Sequence, residues 1–488
     1  MGFPFDPVGA GLVYNVKSYG AFGDGVHDDT AAWQAAGLAA SSSGGVVYAT
    51  PGTYLISSSI PLYTGVVYMG AGMGATVLKA SGNITGMFSA VLSSGGTLTN
   101  CGVSDMTVNG NTGPTGTTTG VQLDSSANAN ILTRGIFFER VHFVNCAAGI
   151  NHAGNNASAG PMNNKVVTDN CVFDTCAAGY QLKGTYGVEI LNCHGLQNTL
   201  ATVVETSIRS GGPTNNGQGP TTVTRISGLH VEGRGDLTGS LGYSDDGIDM
   251  AGSDTRITGC ELSNVSQYPI HFESAENEGS LIDDIVIWGC GGPMLYCDGS
   301  PYGQDAVITN VVGAFICQNT NLNPSYGKRA ALALNGGSWM VDNVMVADAA
   351  SHTPPYALSV GADSPNQMGV VKVSRFYCLA VGTSWLQVLG PSQSNMVLSI
   401  KDSPGLNPAG ATAPWTAFSL PVSGTAWTNN TGVDGTLYCT AAGTVTDVVA
   451  QGVTVASSLA VGQSFFVPAG GTITFTYSSA PTLVFVGD

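Results

Sequence analysis

A short phrase recurs along the middle of the chain at intervals of about thirty residues, an apolar-polar-apolar beat: SDMTV, ERVHF, DNCVF, LNCHG, SGLHV, TGCEL, WGCGG, TNVVG, DNVMV and SRFYC. Aligned, the phrases put Met106, Val141, Cys171, Cys193, Leu229, Cys260, Cys290, Val311, Val344 and Phe376 at one equivalent position, with gaps of 21–22 or 30–36 residues. A unit of that length built from short alternating strands cannot bury its apolar face alone and must stack on the next copy. The expected fold is therefore all-β, a parallel β-helix whose Gly-, Ser-, Asn- and Asp-rich insertions become loops on one side. A sandwich or barrel also gives short strands and turns, but it leaves the aligned cysteine column without a reason.

The 68 glycines and a charged share of only 10% suit short strands, tight turns and one long core. With 32 acidic against 15 basic residues the formal charge is −17, which opposes steering toward nucleic acid or an anionic membrane. The same scarcity of Lys and Arg counts against a strongly polyanionic glycan unless metal ions supply the positive charge. Four of the eleven cysteines (Cys171, Cys193, Cys260 and Cys290) share the coil position, so free thiols stacked in the core are expected rather than a disulfide framework. No pair has CxxC spacing, which argues against zinc. The opening MGFPFDPVGAG has neither a basic nor an apolar leader region, and no stretch approaches the ~20 apolar residues of a membrane span. The expectation is a protein without signal peptide or transmembrane segment.

Residues 13–80 carry a first strand (Tyr14 to Val16), the turn GDG-x-x-DD-T (Gly23, Asp24, Gly25, Asp28, Asp29, Thr30), a helix with Trp33 and Gln34, then GGVVY and PGTY. This run resembles the opening of the pectate-lyase-like superfamily of right-handed parallel β-helices, which includes polygalacturonases, mannuronan epimerases and bacteriophage tailspikes. The resemblance implies that the helix plugs one end of the solenoid and that the acidic turn builds this lid, with Asp28 or Asp29 as helix cap. The expected organisation is an extension over 1–12, the β-helix over 13–400, a Pro-, Gly- and Ala-rich linker over 401–415 and a small antiparallel β domain over 416–488.

A second column carries the candidate chemistry. The strands GINHAG, GYQLKG, VVETSI, GIDMAG and PIHFES follow the coil marker. With Ile150, Tyr180, Val204, Ile248 and Ile270 in register, alternation turns Asn151, Gln181, Glu205, Asp249 and His271 outward and His152, Leu182, Met250 and Phe272 inward. Lys183 and Glu273 lie two residues further on, and Asp245 and Asp246 lead into the Asp249 strand. Crowded carboxylates shift one another's pKa, so one can stay protonated as acid while another is ionised. Strands ~4.8 Å apart put Glu205 and Asp249 at roughly 5 Å, the spacing of a retaining glycosidase, and Asp249 and Glu273 at roughly 8 Å, that of an inverting one. The expected catalytic set is Asp249, Glu205, Glu273, Asp246, Asp245 and His271, with Lys183, Gln181, Asn151, Tyr243, Tyr268 and Arg209 as sugar-binding residues and no metal.

The aspartate cluster and the outward His271 are similar to the active sites of polygalacturonases, but the Asn-Thr-Asp, Gly-His-Gly and Arg-Ile-Lys motifs are absent from their places. The epimerase motif Asp-Pro-His-Glu is absent too. A lyase would need Ca²⁺ and a basic residue, for which only Lys183 and Arg209 stand near the column. The expected function is a tailspike-like, trimeric bacteriophage tail protein that binds and hydrolyses a host surface polysaccharide, in contact with other tail proteins and located in the virion or outside the cell. The alternatives are a secreted enzyme of the polygalacturonase or pectate-lyase type and a non-catalytic glycan-binding β-helix.

Overall fold

In the computed structural model the described residues are 12–91, 97–124, 132–153, 165–183, 185–205, 222–250, 254–272, 279–297, 305–322, 328–335, 337–347, 353–361, 368–389, 397–403, 406, 416–417, 420–429, 434–468 and 470–487. The architecture is a parallel β-helix. One sheet of twelve parallel strands runs from Ile60–Pro61 through Asp246–Met250 and Ile270–Phe272 to Ser384–Leu389, one strand per coil. The rest of a coil is a longer strand bent at left-handed corners, as in Arg256–Val265, Leu281–Cys290, Asp305–Ala314 and Gly337–Val346, or two shorter strands separated there, as in Val166–Asp169 and Val172–Asp174. Each of these also pairs in parallel with its counterpart in the next coil.

The bend explains the recurring phrase. The residue before each marker adopts a left-handed backbone: φ is 56° at Asp105, 52° at Asn170, 50° at Asn192, 61° at Gly259, 54° at Asn310 and 55° at Asn343. Only Gly, Asn and Asp visit that region cheaply, which is why those types dominate there. The corner side chains also bond from coil to coil, Asn343 Nδ2 donating to Asn310 Oδ1 at 2.7 Å and Asn310 Nδ2 to Asp283 Oδ1 at 2.8 Å. The following residue turns inward, and Met106, Val141, Cys171, Cys193, Leu229, Cys260, Val311, Val344 and Phe376 are all buried.

One member of the expected column is corrected. Cys260 pairs with Ile285, and Ile285 with Val311, whereas Cys290 pairs with Val265. Ile285 is therefore the marker of that coil. Cys290 follows a second left-handed corner, Gly289 with φ 76°, and sits behind it just as Val265 sits behind Asn264 with φ 53°.

All eleven cysteines are free and buried. The Cys171 thiol contacts that of Cys193, and Cys176 that of Cys146. Cys260→Ser places a hydroxyl between Leu229 and Ile285. The Thr258 carbonyl, 3.3 Å from the thiol, can still accept from it, so the expected loss lies at the low end of roughly 1–3 kcal/mol, read as a lowered melting temperature.

At the first coils the helix Thr30–Ser41 buries Thr30, Ala32, Trp33, Ala36, Gly37 and Ala40, an i, i+3, i+4 pattern that gives it one apolar face. The two aspartates divide the work of the turn. Asp28 accepts from the Thr30 N–H at 3.0 Å, capping the helix, while Asp29 accepts from Phe22 N at 2.6 Å and Gly23 N at 3.1 Å, closing the GDG turn. Toward the other end the strand Val397–Lys401 still pairs with the solenoid, and Leu406 is buried in its core. Residues beyond 416 form two antiparallel four-stranded sheets around a separate core that includes Leu437, Val448, Ile473 and Phe475. No helix among the described residues is long and apolar enough to cross a membrane.

Candidate functional site

The outward column of the twelve-stranded sheet reads, in register, Gln122, Asn151, Gln181, Val204, Asp249, His271 and Tyr296. Glu205 is corrected: it pairs with Leu182, and Val204 takes the place beside Asp249. The adjacent valines Val203 and Val204 allow either reading of the alternation, and a one-residue slip moves a whole strand to the other face. His152 is buried as expected, 3.4 Å from the Tyr180 hydroxyl, and desolvation pushes its pKa down to about 4.

The strand Asp246–Met250 brings its two acids to one imidazole. Asp246 and Asp249 are separated by two residues, and the chain at Gly247 lies so close to the neighbouring coil that an added Cβ would stand 2.5 Å from the Pro269 carbonyl oxygen. Glycine alone permits that approach, and through it the Asp246 carboxylate meets the next coil. It accepts from the Tyr268 N–H at 3.0 Å, and its other oxygen lies 3.2 Å from His271 Nδ1. Asp249 Oδ1 lies 3.3 Å from the same nitrogen. All three side chains are only 11–13% exposed. Burial raises the Asp246 pKa above the usual carboxylate value, against the opposing pull of His271 and of the Tyr268 N–H.

Around the cluster stands an aromatic wall. Tyr268 and Tyr296 stack with centroids 4.6 Å apart, and their rings lie 5.2 and 5.4 Å from that of His271. The Lys328 ammonium is 5.1 Å from the Tyr296 centroid and 5.8 Å from that of Tyr268. Tyr296 and Lys328 were not among the expected residues. Tyr296 is simply the next outward position of the same column, legible once Ile285 replaces Cys290 as the coil marker.

Asp245 turns away from this centre. It is buried, and its Oδ2 accepts from Arg234 N at 3.1 Å and Ser266 N at 3.3 Å, closing the loop between Arg234 and the strand. Asp236 organises the same loop by accepting from Leu241 N and Tyr243 N. Tyr243 is thereby held under the Arg234 guanidinium, 3.4 Å from its ring centroid. Asn151 Nδ2 donates to Gln122 Oε1 at 3.1 Å further along the column. Arg209 and Glu273 lie outside the described residues, as do the side chains of Lys183 and Glu205.

Each of Asp246, Asp249 and His271 offers one potential ligand atom, and the three atoms lie within 4.8 Å of one another. Two carboxylates and an imidazole suit a divalent cation as well as proton transfer, and the two uses compete, because a cation holds both carboxylates ionised.

Residues 13–95 match the family model described as rhamnogalacturonase A/epimerase, pectate lyase-like. Over 110 residues the chain is 44% identical to the mannuronan C5-epimerase AlgE1 of Azotobacter vinelandii, a match that spans 20% of this chain and only 8% of that protein. Among solved structures it is similar to the A-module of the mannuronan C-5 epimerase AlgE6 of A. vinelandii, with a TM-score of 0.51 and 18% identity over 80% of this chain and 98% of that one. It is similar to the Agl-KA catalytic domain at the same TM-score, with 15% identity over 80% and 69% of the two chains. The match to a pectate-lyase-like model is thus confined to the first coils, and the fold of the solved structures the chain resembles is the same parallel β-helix.

Proposed function

We propose that this protein binds a polysaccharide and hydrolyses it at Asp246, Asp249 and His271. The observation that carries the reading is the pair of largely buried carboxylates converging on one imidazole nitrogen in the middle of the column. Asp246, with its raised pKa, is the general acid that gives its proton to the glycosidic oxygen. Asp249 attacks the anomeric carbon. Ligand atoms within 4.8 Å of one another put the two carboxylates nearer the ~5 Å spacing of a retaining enzyme than the ~6.5–9.5 Å of an inverting one, which favours double displacement with retention. Water then breaks the glycosyl-enzyme bond, its proton returning to Asp246. His271 positions both acids, and the stacked Tyr268 and Tyr296, both buried, pack against its ring and hold it in place.

The setting that fits best is a bacteriophage tail, with a homotrimer acting on a host surface glycan outside the cell. The low-charge, glycine-rich solenoid and the following β domain, which can register three chains, support it. Similarity over part of its length to a mannuronan epimerase supports a polysaccharide as the substrate class. A secreted depolymerase is the alternative setting.

The test is incubation with bacterial surface glycans and plant polysaccharides, scoring new reducing ends and the ultraviolet absorbance of unsaturated ends. Reducing ends alone, insensitive to chelator, are expected. Asp249→Asn should abolish them, with a loss of at least roughly 10²–10⁴-fold, while circular dichroism stays unchanged; full activity in that variant removes Asp249 from the mechanism. Unsaturated ends that disappear with chelator would favour the second reading, a Ca²⁺-dependent lyase, for which the clustered ligand atoms of the same three residues speak. Binding without products would leave a glycan-binding β-helix.

A further inference from the structure

The outer face beyond the left-handed corner changes character along the solenoid. Its register column carries His142, Val172, His194, His230 and Glu261 in the earlier coils, then Val286, Val312, Met345 and Tyr377 in the last four. The earlier stretch is mostly polar, with His142 Nε2 3.5 Å from Asp174 and His230 Nδ1 3.5 Å from Glu261. The apolar stretch is open to solvent. Val312, Met345 and Tyr377, together with Trp288, Phe315 and Leu379 beside them, are each between 41% and 67% exposed.

Taking roughly 150–250 Å² for a large side chain, these six expose on the order of 400–700 Å². That lies within or above the roughly 300–600 Å² of the largest apolar patch on a typical monomer and amounts to half or more of the ~800 Å² that one partner contributes to a stable interface.

We infer that this strip is where copies of the chain meet, with solenoid axes side by side around a common axis. Charge and shape both favour a second copy as the occupant. Two chains of −17 repel wherever acidic surfaces face each other, but at the border of the strip Asp342 is paired with Arg375, which donates to it at 2.8 Å, and Asp283 accepts from Asn310, which in turn accepts from Asn343. A membrane surface would call for a basic rim, and the arginine at this border is already paired. The strip also runs along the solenoid axis with the coil repeat, so an axially aligned copy presents the same period. It occupies the coils that immediately precede the C-terminal β domain. The number of copies, three, rests on the tail-protein reading above; the surface does not.

The experiment is light scattering and sedimentation of the full chain over a range of concentrations. Wild type is expected at three times the chain mass. Val312→Asp with Met345→Asp should bring it to the chain mass with strand content unchanged, and His194→Asp, at the polar end of the same column, should leave it assembled. Should the double variant misfold, Leu379→Glu at the solvent edge is the substitute and should raise the dissociation constant at least tenfold. A monomeric wild type overturns the inference, as does an oligomer that survives these changes or a chain that gains mass only with a different protein. Glycan cleavage in the same samples separates the two readings: an inactive oligomer sinks the hydrolase, and an active monomer sinks the interface.

Discussion

Asp246→Asn is expected to lower glycan cleavage by roughly 10²–10⁴-fold and, at neutral pH, to raise the melting temperature. The two effects share one cause. Burial holds the Asp246 carboxyl above its ordinary value of 3.8, so between that value and the higher one of the folded state the native protein binds more protons than the unfolded chain. Stability contributed by this group is complete below 3.8 and declines as pH rises through the folded-state pKa. Asparagine keeps the shape, cannot ionise and escapes that decline, while its amide has no acidic proton for the leaving oxygen. Activity and thermal unfolding measured from pH 4 to pH 8 check both halves. The wild type should lose activity along the alkaline limb on which Asp246 ionises, and the stability gain of the variant should grow over the same range. A variant less stable than wild type at pH 7 would mean that the Asp246 charge is well accommodated by His271 and the Tyr268 N–H, and the acid role would pass to another group.

Trp33→Ala should cost about 3–5 kcal/mol. The indole is fully buried in the lid helix, edge-on to Tyr54 and Phe88 with centroids at 5.6 and 6.3 Å, and stacked on Tyr68 at 6.4 Å. Its removal empties the place where the helix packs on Tyr54, Tyr68 and Phe88 of the first coils. Trp33→Phe should be far milder, because it keeps much of the volume and deletes a buried N–H that has no partner among the described residues. Thermal unfolding with limited proteolysis of the first coils distinguishes the variants; an Ala variant as stable as wild type would show that the lid does not hold the stack closed.

Much of the architecture could be read from the chain because coil stacking imposes the same demand at every repeat. A left-handed residue followed by an inward apolar one leaves a two-letter trace, Asn-Cys, Gly-Cys or Asn-Val, that survives variable loops. The trace misled at Cys290 for a physical reason: some coils have two such corners five residues apart, and Gly289-Cys290 at the second imitates Gly259-Cys260 at the first. Asp284-Ile285, the true counterpart, carries an acid instead of Asn or Gly. In the candidate site, Asp249 and His271 were legible because a polar residue between apolar ones fixes the facing, whereas the valines before Glu205 left it free to slip. What sequence could not supply was the close approach at Gly247. That contact carries Asp246 to His271 while Asp245, its neighbour, is consumed in holding a loop.

The stack of buried thiols gives the molecule an internal record of how it comes apart. The reactive species is the thiolate, and burial pushes the thiols of Cys101 and Cys260 up to about 12 and about 11, so both protonation and enclosure keep them silent toward alkylating reagents. Each becomes visible only when its own coil opens. Cysteines from Cys101 to Cys378 mark successive levels of the solenoid, and Cys439 marks the β domain that follows. The order in which an unaltered chain takes up label as denaturant rises would therefore spell out whether it frays from one end or parts in the middle.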